Sequence, residues 1–135
     1  MTVADGWLEG LGEEGRQLAS PVVRLLLTEA PRLAVTVQQG MLAFGPFRYR
    51  YASGRSGESA LLTLAVRKHG LSLYVNCVED GRYLLATHLP NLGKVRAGIS
   101  CLRFRRLSEL DDAAFRNLIR AAAVSRGGGQ VDGEK

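Results

Sequence analysis

Two cysteines and two histidines carry most of the reactive chemistry in these 135 residues. Cys77 and Cys101 lie 24 positions apart with no Cys-x-x-Cys, so the spacing writes neither a zinc site nor a disulfide framework. His69 and His88 sit in no His-x-x-His or His-Glu-x-x-His arrangement, and they read as surface residues rather than transition-metal ligands. No metal or cofactor is expected. Hard iron would want a carboxylate-rich helix surface, yet Glu9, Glu13, Glu14 and Glu29 are sequence-distant from Asp111 and Asp112. Cys101 alternates with Arg103 and Arg105, whose charge would favour a thiolate, so it is the candidate nucleophile of a small thiol enzyme. Cys77 alternates onto an apolar face and reads as core.

The cations are more numerous. Two glycine loops, Ser53-Gly54-Arg55-Ser56-Gly57 and Leu92-Gly93-Lys94 through Gly98, could offer backbone amides and positive charge to an anion. Neither has the Gly-x-x-x-x-Gly-Lys-Ser/Thr spacing of a phosphate loop. The second loop holds Lys94 and Arg96 near Arg103, which makes it the favoured anion contact. Stacking on single-stranded bases needs aromatics and cations on one exposed face. Here Tyr49 and Tyr51 alternate with Arg48 and Arg50, a pattern that fits packing better than nucleic-acid binding.

Charge and composition set the frame. The net charge is +5, with residues 1–30 at −3, 31–60 at +3 and 61–110 at +5. An acidic start and a basic middle could steer anions toward the middle segment, or could simply be solvated arginine in a chain rich in it. A chain of this size with 46% hydrophobic residues builds one core. No run approaches eighteen apolar residues, so no membrane-spanning helix is written. The first residues lack a basic, apolar leader, and a cytoplasmic address is expected.

The elements follow from periodicity. Residues 1–19 read as a loosely helical lead interrupted by Gly10, Gly12 and Gly15. Ser20-Pro21 predicts a helix start, with an apolar stripe through Val22, Val23, Leu25, Leu26 and Leu27. A second short helix is predicted from about Leu33 to Gln39, ending at Gly40. From Met41 the period becomes two, and strands follow through Phe47–Ala52, Ala60–Val66 and Leu71–Val78 as an antiparallel meander. A short helix over Tyr83–Leu89 stops at Pro90, a strand runs from Ile99 to Arg106, and Ser108 or Asp111 caps a last helix through Phe115, Leu118, Ile119 and Ala122. Residues 125–135 predict a disordered tail. The fold class is α+β: four to six antiparallel strands with helices packed on one face. The other face awaits solvent or a partner, a homodimer being one option.

Four segments, in order, resemble a bacterial family, the YdhG-like proteins of domain of unknown function 1801. They are Phe44-Gly45 with Arg48 to Glu58, Arg67-Lys68 with Leu71 to Tyr74, Leu92-Gly93-Lys94 with Gly98 and Ser100 to Phe104, and Leu107 to Leu110. The likeness spans about Ser20 to Ala123, giving a single YdhG-like domain over 20–124. The chain departs from the family at Ile99, at Ser59 and at Arg32-Leu33-Ala34, where relatives usually carry Lys, an aromatic and an acid. The resemblance implies a frataxin-like sandwich and, from one branch, an iron-delivery role. The leading expectation is a non-catalytic binding module for a small anionic ligand or a protein partner. Its patch would comprise Tyr49, Tyr51, Arg67, Lys68, Tyr74, Lys94, Cys101 and Arg103, with both glycine loops at one rim.

Overall fold

A computed structural model of the protein describes residues 2–50 and 53–125. Tyr51 and the expected tail beyond Ser125 lie outside the described residues. The chain runs α1 (Val3–Glu9), α2 (Glu13–Glu29), β1 (Val35–Gln38), β2 (Met41–Arg50), β3 (Ser56–Arg67), β4 (Gly70–Val75), β5 (Val78–Glu79), β6 (Arg82–Tyr83), α3 (Leu84–His88), β7 (Arg96–Ala97), β8 (Cys101–Phe104) and α4 (Asp112–Ala123). Six strands form one antiparallel sheet in the order β1-β2-β3-β4-β8-β7, and β5 with β6 makes a separate small hairpin.

One core joins the helices to one face of that sheet. Leu42 and Phe44, Leu62 and Leu64, Leu71, Leu73 and Val75, and Leu102 and Phe104 are buried together with Val22 and Leu26 of α2 and Phe115, Leu118 and Ile119 of α4. Ala4 of α1 and Leu84 and Leu85 of α3 complete the same cluster. Alternation along β4 and β8 therefore turns Ser72, Tyr74, Cys101 and Arg103 to the opposite face, in the cross-strand rows Thr63–Tyr74–Cys101 and Ser72–Arg103–Arg96. The antiparallel sheet with helices on one face is the expected class.

Several local expectations need correction. The helix predicted to start at Ser20-Pro21 begins eight residues earlier and carries Pro21 inside it. Proline removes one intrahelical bond, but the turns before it bury Ala19 and set Gly15 against Val66, so packing outweighs the lost bond. Ser20 is no cap: its hydroxyl donates back to the Arg16 carbonyl at 2.7 Å. The helix expected over Leu33–Gln39 is instead β1, where Val35, Thr36 and Val37 favour a pleated strand. Gln39 and Gly40 both have positive φ (53° and 80°), giving a tight turn that pairs Gln38 with Met41. The helical segment before Pro90 continues as a 3-10 turn over Leu89–Asn91, and β7 was not foreseen in the glycine loop. Asp111, as expected, caps α4, its carboxylate accepting from the Ala114 amide at 2.9 Å.

Gly45 reverses the faces of β2. At φ 70° it puts Phe47 back onto the core side although Phe44, three residues earlier, is already there. That reversal turns Tyr49 and Arg48 to their observed sides, with Arg48 near Glu58 at 3.8 Å.

Candidate functional site

Four local choices build a basic cleft at one corner of the sheet. The β3–β4 turn, Lys68-His69, closes on the Arg67–Gly70 pair. Gly70 lets this turn press on the end of β8, since a Cβ there would stand 2.7 Å from the Phe104 carbonyl and 3.0 Å from the Arg105 Cα. On β8, burial of Leu102 and Phe104 turns Arg103 outward, and Arg105, just past the end of the strand, is exposed. On the far side, Leu92 is buried, its carbonyl accepts from the Asp111 amide at 3.0 Å, and Gly93 (φ 106°) lies close to the Glu109 carbonyl. The pinned loop delivers Lys94 and then Arg96.

The cleft encloses about 630 Å³, within the usual range for a small-molecule site. Arg67, Lys68, Lys94, Arg96, Arg103 and Arg105 line it, with one carboxylate, Glu109. Glu109 Oε1 accepts from the Arg105 backbone amide at 2.9 Å. Among the described residues none of the six cations forms an ion pair; those found elsewhere join Arg48 to Glu58, Arg116 to Glu29 and Asp112, and Arg120 to Glu29. Arg96 and Arg103 are direct cross-strand partners, and like charges so placed destabilise a sheet. Leu71, Val95 and Phe104 supply an apolar part of the lining, and Ser72 a hydroxyl. An array of this kind has one obvious chemistry: charge-assisted hydrogen bonds to an anion.

Four of the eight sequence-selected residues meet here: Arg67, Lys68, Lys94 and Arg103. Tyr74 is adjacent, its hydroxyl accepting from Arg67 Nη2 at 2.6 Å while the guanidinium lies 5.9 Å from the ring centre. Cys101 is opposite Tyr74 but is 8% exposed and lines no part of the cleft. His69 lies past the start of β4, at least four residue steps and roughly 14 Å along the strand from the Tyr74–Cys101 pair, too far for a thiol–imidazole contact. His88 is on α3 in the helix layer, on the other side of the sheet from Cys101. Tyr49 pairs with Gly57, its ring filling the space a Gly57 side chain would take. Tyr51 lies outside the described residues.

The shared rim of glycine loops is the principal correction. Ser56 opens β3 and Arg67 closes it, so the Ser53–Gly57 turn and the Lys94 loop stand at opposite ends of a strand roughly 36 Å long. Tyr49 leaves the site for the same reason. Arg96, placed with Lys94 in the favoured anion loop, lines the cleft as expected, whereas His69, Arg105, Ser72 and Glu109 are site residues that the sequence reading did not assign to it. Ser72 was accessible through alternation with Leu71 and Leu73; that Arg96 stands directly opposite Arg103 needed the β7–β8 pairing, which no periodicity in two residues reveals.

Among the described residues no group of three or more His, Cys, Asp or Glu side chains converges in a way that could hold a metal ion. No helix among them is long and apolar enough to cross a membrane. Compared with family models, with curated proteins and with solved structures, the chain matches none.

Proposed function

We propose that this protein is a non-catalytic binding module whose basic cleft takes a small anionic ligand, phosphate-bearing in the first instance. The observation that carries the reading is the convergence of six cations without an ion-pair partner among the described residues, two of them the directly opposed Arg96 and Arg103. Holding such charges together is unfavourable unless an anion joins them. The apolar lining strengthens each contact by lowering the local dielectric. Cytoplasm is the compartment the reading assumes, in keeping with Cys77 and Cys101 both being free thiols. The reading keeps the YdhG-like resemblance as part of the proposal, since Arg67, Lys68, Ser72, Tyr74, Lys94 and Arg103 all fall within the segments that carry it.

Calorimetric titration with inorganic phosphate tests it. Wild-type protein should bind, and Lys94→Ala and Arg103→Ala should each weaken binding about 10-fold, the loss of one charge-assisted hydrogen bond. Arg48→Ala, at the far end of the sheet, should leave the affinity unchanged. Absence of binding, or equal weakening by Arg48→Ala, overturns the proposal.

A further inference from the structure

The outward face of the sheet buries two hydroxyls and leaves both without a partner among the described residues. Ser72 is 2% exposed and lies in the basic cleft; Thr63 is 5% exposed and lies in a second, smaller cleft of about 170 Å³. Buried hydroxyls are nearly always hydrogen-bonded, and one that is not marks a place where a partner is missing. The two clefts share a wall. Arg67 lines the first and donates to the hydroxyl of Tyr74, which lines the second. Thr63 faces Tyr74 across β3 and β4, and Ser72 lies two residues along β4 from Tyr74. Strand geometry then puts Ser72 and Thr63 roughly 8 Å apart.

The second cleft has the opposite polarity to the first. Gln38 spends one amide N–H on the Ser59 carbonyl at 3.1 Å, and Asn76 donates to the Ala60 carbonyl at 3.0 Å and the Ser59 hydroxyl at 3.5 Å. Among the described residues nothing donates to either amide oxygen, so both are open as acceptors, and the Glu58 carboxylate lines the same cleft. Acceptors there call for a ligand rich in O–H donors, whereas the first cleft calls for an anion.

Resting on the anion-binding reading above, we infer that the ligand is a sugar phosphate: its phosphate sits among the cations beside Ser72, and its uncharged polyol body reaches past Tyr74 to Thr63, Asn76 and Gln38. A pentose phosphate is long enough to cover the separation. A site that hydrogen-bonds hydroxyls discriminates strongly against analogues lacking them.

The test compares methyl phosphate, which has the monoester charge without the polyol, with ribose 5-phosphate and with free ribose, each titrated calorimetrically. Ribose 5-phosphate should bind wild-type protein at least 5-fold more tightly than methyl phosphate, and ribose alone should show no binding at millimolar concentration. Thr63→Val, which keeps the shape and removes the hydroxyl, should bring the two phosphates to equal affinity while leaving methyl phosphate binding unchanged. Equal affinities in wild-type protein, or an undiminished ratio in Thr63→Val, overturns the inference. If methyl phosphate binds and ribose 5-phosphate gains nothing, the sugar assignment alone fails. If neither phosphate nor its esters bind, the anion-binding reading fails and takes the sugar assignment with it.

Discussion

Replacing Gly70 by alanine strikes the contact that assembles the cleft. The added Cβ would stand 2.7 Å from the Phe104 carbonyl oxygen and 3.0 Å from the Arg105 Cα, both backbone atoms that cannot swing aside. Restoring an ordinary 3.4 Å contact requires the start of β4 and the end of β8 to part by about 0.7 Å. Overpacking of this kind costs about 1–3 kcal/mol, and the φ of 155°, which L side chains rarely adopt, adds roughly 1 kcal/mol. The total, about 2–4 kcal/mol, corresponds to a fall in melting temperature of roughly 8–16 °C for a domain of this size. Urea unfolding followed by circular dichroism measures the loss directly. The same displacement moves Lys68 away from Arg105, so phosphate affinity should drop several-fold in the folded variant. Gly98→Ala is the matched control, because a Cβ there meets nothing within 4 Å; its stability should change by less than about 0.5 kcal/mol. A Gly70→Ala protein as stable as wild type would refute the close-approach reasoning.

Two further outcomes test the helix layer and the thiols. The guanidinium groups of Arg120 and Arg116 hold the Glu29 carboxyl below its ordinary value of 4.5, and its side chain is 13% exposed between α2 and α4. A depressed folded value means that the stabilisation is full above about pH 4.5 and is lost as pH falls through the folded value; wild type should therefore lose its stability advantage over Glu29→Gln progressively as pH is lowered below about 4.5, and parallel pH curves would contradict the ion-pair account. Burial pushes the Cys77 thiol up to about 11, so it stays protonated at pH 8 and should resist alkylation until the protein unfolds; rapid labelling of Cys77 in native protein would show the core to be open there.

The fold was readable where one residue in two, or one in three to four, had to face the core. Leu71, Leu73, Val75 and Cys77, or Phe115, Leu118 and Ile119, announce their faces by spacing alone, and the structure buries all of them. What misled was local chemistry overruled by packing. Ser20-Pro21 has the signature of a helix start, yet the helix runs through it because the preceding turn has apolar surface to bury. Leu33–Gln39 has helix-like apolar spacing, but a run of β-branched residues ending in a left-handed Gln39-Gly40 pair makes a hairpin. The site was half legible for a related reason. Arg67, Lys68 and Lys94 were found because they sit in or beside short charged loops, and Arg103 because it alternates with apolar residues on its strand, whereas strand length decides which loops meet. Twelve residues of β3 separate the two glycine loops, and no count of glycines or arginines along the chain carries that distance. Alternation places Ser72 on the outward face, but that Ser72 and Thr63 are buried without a partner among the described residues is visible only in the structure.

Amide chemical-shift mapping with inorganic phosphate tests the convergence of these six cations on one anion most directly. The largest changes should fall on residues 67–72, 94–96 and 103–105, three segments distant in sequence, and residues 48–49 and 56–58 at the other end of the sheet should not respond. An unperturbed spectrum, or shifts centred on that other end, would contradict it.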